Sequence, residues 1–222
     1  MSTRERGWPV PVGLAALSAI PVAAGLLRLV QLSGGATPLP ADPRFSGFPL
    51  ALVAHIIGSA TFALVGIVQL VPRLRRRHLD RHRRTGRVLV AAGLVVAGSG
   101  LWLTLFYAAH PGTGPLLLAL RLLVGSSVAG FLLLGIAAAR RHDVPAHRAW
   151  MIRAYALALG AGTQAFTEGI GGALLGTGEL RGDLYKAAGW LLNLAVAEAL
   201  IRRPGRRPAA PGPARSALVV QQ

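Results

Sequence analysis

The sequence predicts an all-α protein, an integral membrane bundle of six transmembrane helices with both termini cytoplasmic. Three observations carry that reading. Of 222 residues, 53% are hydrophobic and 14% charged, and the mean hydropathy of +0.51 is too high for an ordinary soluble domain. The apolar residues gather into runs of about 20 or more, the length an α-helix needs to cross a bilayer. Most arginines, finally, fall into alternate connections between those runs.

The first run, about Trp8 to Gln31, follows Arg4 and Arg6 but exceeds the roughly 7 to 15 apolar residues of a secretory signal, so it reads as an anchor. Arg28 near its far end can extend its guanidinium to the headgroups. Ser33 to Gly47 holds three prolines and reads as irregular loop. The second span runs from Phe48 to Val71 and the third from Val88 to Ala109. His110 to Gly114 is a tight turn, and Pro115 to Ala139 is the fourth span. The fifth span, Ala149 to Gly176, connects through Thr177 to Asp183 to the sixth, Leu184 to Ile201. These make one domain over residues 1–203. Residues 204–222, rich in Pro, Ala and Arg, read as a disordered basic cytoplasmic tail.

Orientation comes from the cations. Arg4 and Arg6, the eight arginines from Arg73 to Arg87, then Arg140, Arg141, Arg148 and Arg153, and the five from Arg202 to Arg215 make nineteen of the 24 basic residues. Arginine-rich short loops stay in the cytoplasm, which places both termini inside and the other three loops outside. The net charge of +16 and pI of about 12.0 therefore express topology, with anionic lipid headgroups as the partner of the cytoplasmic face and no nucleic-acid surface. The bias of arginine over lysine points to a GC-rich bacterial genome and a bacterial cytoplasmic membrane. There is no cysteine, which removes disulfides, thiolate metal sites and cysteine nucleophiles. Serine-elbow, phosphate-loop and dinucleotide motifs are missing as well.

Ionisable groups inside a span are costly and ordinarily face partners in the bundle interior. His55, Arg121 and Glu168 fall at comparable depth from the outer side at about 1.5 Å per residue, with Gln164 and Thr167 beside Glu168. Glu168 and Arg121 are expected to neutralise each other, either as a polar knot holding three helices in register or as a ligand site. A second set lies at the cytoplasmic ends: His78, His82, His147, Arg153 and Glu198. Glu198 is four residues before Arg202, so an intrahelical pair is its simplest partner, with Arg153 as the competitor. His78 and His82 have i,i+4 spacing, but Asp80 is too little negative charge among eight arginines to hold a metal ion there.

The elements His82-Arg83-x-x-Gly86-Arg87 and His147-Arg148-Ala149-Trp150-Met151-Ile152-Arg153 resemble a family of bacterial polytopic membrane proteins known as domain of unknown function 2306. The likeness extends over about residues 50–203, through His55-x-x-Gly58, Gly66, Gln69, Gly160 to Gln164, Asn193 and Val196-Ala197-Glu198. It implies a multi-pass membrane protein and brings no activity with it. His82 and His147, preceding the third and fifth spans with Arg83, Arg148 and Arg153 close by, are also similar in layout to the transmembrane ascorbate-oxidising cytochromes b. That similarity implies haem b between two imidazoles, with arginines on its propionates. The fourth span, however, offers only Arg121 where an outer haem would need a second histidine. Three roles follow from these residues: a structural or accessory membrane protein, a haem-binding electron-transfer protein, and a carrier of protons or a small solute.

Overall fold

A computed structural model describes residues 9–45, 49–69, 78–110 and 112–202. The basic tail, Arg4, Arg6 and the first half of the arginine-rich loop lie outside the described residues.

All regular structure among the described residues is helical. The helices are α1 (Pro9–Leu32), α2 (Leu50–Gln69), α3 (Leu79–Phe106), α4 (Pro115–Arg140), α5 (Val144–Ala158), α6 (Gly160–Leu175) and α7 (Glu179–Arg202), with a 3-10 turn at Pro43–Phe45. Five of them, α1, α2, α3, α4 and α7, are long and apolar enough to cross a membrane. The expected fifth span is a correction: it is divided into α5 and α6 at Leu159, where φ is −75° and ψ is 3°. α3 and α7 begin earlier than hydropathy places them, at Leu79 and Glu179. Helix hydrogen bonding continues past the apolar segment into residues that meet headgroups and water, and hydropathy marks only the immersed part.

Helices α2, α3, α4 and α5 form a ring in which each packs on the next and α5 closes back on α2. Small residues set the closeness of that ring. At Gly93 on α3 an added Cβ would lie 2.6 Å from Phe62 and 2.7 Å from Leu132, and at Gly66 on α2 it would enter the Tyr155 ring. Phe62 and Tyr155 meet with rings tilted by 42° and centroids 5.6 Å apart, and the Tyr155 hydroxyl donates to the Ala63 carbonyl at 2.7 Å. The core is completed by Val96, Ala97, Val128, Leu132 and Ala154. Outward, Ile57, Val68, Trp102, Leu123, Leu133, Ile170 and Leu191 are exposed, an apolar belt of the kind that faces lipid.

Helices α1, α6 and α7 flank the ring. Pro21 in α1 has no N–H for the carbonyl of Leu17, and Gly162 of α6 brings its backbone directly against that oxygen. α5 and α6 run antiparallel to α7 between Tyr185 and Glu198: Arg153 lies across from Glu198, Gly160 from Trp190, Gln164 from Gly189, Glu168 from Lys186 and Gly171 from Tyr185.

The connections sort to two ends. At one lie the start of α3, the α4–α5 turn and the end of α7, bearing Arg81, Arg83, Arg84, Arg87, Arg140, Arg141, Arg148 and Arg202. Its tight turn uses His142 at φ 62° and Asp143, whose carboxylate accepts from the amide of Ala146 at 3.0 Å. At the other end Arg44 pairs with Asp42 at 2.6 Å and donates to the Ala108 carbonyl at 3.2 Å, tying the α1–α2 loop to the end of α3.

Candidate functional site

α7 presents Glu198, Asn193 and Lys186 along a seam facing α5 and α6. At the arginine-rich end Arg153 grips Glu198 with two bonds, Nε to Oε1 at 2.5 Å and Nη2 to Oε2 at 3.0 Å, while its guanidinium lies 4.8 Å from the Trp150 ring centre. The competitor anticipated from sequence is thus the principal partner, and Arg202 stands off at 3.7 Å. Arg153 reaches across from a neighbouring helix with its fork aligned, whereas Arg202 lies in the exposed last turn.

At mid-seam Asn193 donates to the Ala156 carbonyl at 3.0 Å and accepts from Thr163 at 2.6 Å, spanning the break at Leu159. A carbonyl in the last turn of a helix needs an outside donor, and Asn193 supplies it. Gln164 donates to the Lys186 carbonyl at 3.0 Å, and Glu168 pairs with the Lys186 ammonium at 2.6 Å.

The expected grouping of His55, Arg121, Gln164 and Glu168 therefore divides. His55 bonds α3 through Nδ1, to the Val96 carbonyl at 3.2 Å and the Ser99 hydroxyl at 3.1 Å. Gln164 and Glu168 bond α7, and Thr167 returns its hydroxyl to its own helix at Gln164, 3.3 Å away. Glu168 is paired with Lys186 in place of Arg121, because the antiparallel register of α6 on α7 sets Lys186 opposite it. Arg121 remains within electrostatic reach of Glu168, Asp183 and Arg44 without an ion pair or hydrogen bond to them.

Two contributors lay outside the sequence reading. Asp183, placed there in a loop, is 1% exposed and serves the start of α4, where its carboxylate accepts from Gly114 N at 3.1 Å and Leu117 N at 3.0 Å. A carboxylate within the apolar part of the chain, one helix turn past the Gly-rich connection, was its only signal. Lys186, the sole lysine, is the other.

His82 and His147 lie in the first turns of α3 and α5. His147 directs Nδ1 to the Gly135 carbonyl of α4 at 2.9 Å, and Gln69 holds the His82 backbone carbonyl at 3.1 Å. Deeper in the bundle, Phe62 packs against Gly93 and the Tyr155 ring. Arg83 and Arg148 are exposed at the arginine-rich end. Among the described residues no three His, Asp or Glu side chains gather to hold a metal ion.

Long apolar helices and a lipid-facing belt define a multi-pass membrane protein. The chain belongs to the family described as predicted membrane protein (DUF2306), whose model matches residues 52–201. Neither the curated proteins nor the solved structures contain a match.

Proposed function

We propose that this is a six-crossing protein of a bacterial cytoplasmic membrane, with a structural or accessory role, both termini in the cytoplasm and its arginine rim against anionic headgroups. The sixth crossing is α5 and α6 together, which run beside α7 between Tyr185 and Glu198 and so match a span that crosses. The observation that carries the role is that the costly charges of the seam are paired within the bundle, Arg153 with Glu198 and Lys186 with Glu168. Pairs of this kind hold neighbouring helices in register instead of awaiting a ligand. Reconstitution tests it: liposomes bearing the protein, energised by a potassium gradient and valinomycin, should show no proton uptake beyond empty vesicles. Uptake abolished by Glu168→Gln would overturn the reading.

Such uptake would favour a second role, proton or small-solute transport, which one observation supports. A span broken at its middle and bridged by a polar side chain, here Asn193, is where transport proteins place their sites.

A further inference from the structure

Arg121 is set apart from the other charges of the bundle. It lies on the stripe of α4 that buries Leu117, Val128, Leu132 and Gly135, so its stem faces the interior, one turn in from the arginine-poor end. A guanidinium there carries five N–H donors in a planar fork and needs an acceptor in a poorly solvated place. The two carboxylates within electrostatic reach of it are held by closer donors, Asp183 by the amides of Gly114 and Leu117 and Glu168 by Lys186.

We propose that Arg121 is the floor of an oxyanion site at this end of the bundle, accepting a carboxylate or phosphate group into its free fork. The donor geometry suits a bidentate oxyanion better than a halide, and Arg provides it where Lys would not. Arg44 adds to the positive potential at the site, and Asp183 and Glu168 offset part of it. The group is supplied either by a free solute or by a phospholipid headgroup of the adjoining leaflet.

The test uses the full chain in dodecyl maltoside, a detergent with neither phosphate nor carboxylate. Thermal unfolding is followed while sodium phosphate or sodium acetate is titrated against sodium chloride at equal ionic strength, and in a second arm while phosphatidylglycerol is added to the micelles. A saturable rise in melting temperature is expected, with half-saturation displaced at least tenfold in Arg121→Gln and Arg121→Lys and unchanged in Arg181→Gln. A response to the soluble anions identifies a solute site, and a response to lipid alone a headgroup site. No saturable response in either arm, or one equal in wild type and the Arg121 variants, overturns the proposal. If Arg121→Gln does not fold, Arg121→Lys, which keeps the charge and loses the fork, decides it.

Discussion

The Asp183 carboxylate accepts the backbone amide of Leu117, 66 positions earlier in the chain, at 3.0 Å, so a residue of α7 caps the start of α4. α4 starts at Pro115 after a glycine and has no capping side chain of its own. The first amides of a helix are unpaired and carry positive partial charge, and an anion is the natural acceptor for them. Asp183 thereby ties the α6–α7 connection to the start of α4.

Asp183→Ala leaves the Gly114 and Leu117 amides without that acceptor, at a cost of about 1 to 3 kcal/mol. Asp183→Asn keeps one acceptor oxygen and should lose less. Thermal unfolding in detergent should rank wild type above Asn above Ala; an Ala variant as stable as wild type would remove the capping role.

Glu168 and Lys186 should be coupled. Glu168→Gln or Lys186→Met alone leaves an unmatched charge beside α6, whereas the double change removes both. A double-mutant cycle is expected to return a coupling of about 1 kcal/mol, and additive effects would show that the pair contributes nothing. Arg121→Gln should leave that coupling intact, since Arg121 is not the partner.

Gly66 is the floor on which the Tyr155 ring rests. Gly66→Val drives a branched side chain into that ring and should cost about 1 to 3 kcal/mol or more, by overpacking. Tyr155→Phe loses only the bond to the Ala63 carbonyl, about 1 kcal/mol. Combining Gly66→Val with Tyr155→Ala should recover part of the loss, because the clash is with the ring; no recovery would mean a different steric partner.

The Arg44 guanidinium, through its hydrogen bonds, holds the Asp42 carboxyl down at about 2. A lowered folded value means that the pair stabilises the loop above the ordinary carboxylate range and that this contribution disappears as pH falls from about 4 to about 2. Hydrogen exchange around Ala108 and Phe45, once corrected for the intrinsic rate at each pH, should therefore be constant near neutrality. Arg44→Gln should raise it, with Asp42 then titrating closer to its ordinary value; exchange unaffected by the substitution would show that the pair does not fasten the loop.

How far the molecule could be read from its sequence depends on what each signal measures. Hydropathy reports residues facing lipid or core, and α1, α2 and α4 fall where the apolar runs place them. It does not report where helical hydrogen bonding stops, so α3 and α7 extend into polar residues. The break at Leu159 has no proline to announce it; it forms where Gly160 admits the Trp190 ring and Asn193 meets Ala156. Depth along a span was legible and put Glu168 near Arg121, but which helix lies beside α6 is decided by packing. That choice pairs Glu168 with Lys186 and sends His55 to Ser99. The histidines at the arginine-rich end suggested a cofactor because spacing shows ligand types and not the hydrogen bonds those residues make, such as that of His147 to the Gly135 carbonyl.

The central claim is that α5 and α6 complete a sixth crossing. The natural chain has no cysteine, so single cysteines can be introduced at Thr113, Thr177 and Arg141 and labelled with a membrane-impermeant maleimide in intact cells. The account predicts labelling of Thr113→Cys and Thr177→Cys from outside, and of Arg141→Cys only after permeabilisation. Thr177→Cys protected in intact cells, together with Arg141→Cys, would show that α5 and α6 return to the side from which they start and would contradict it.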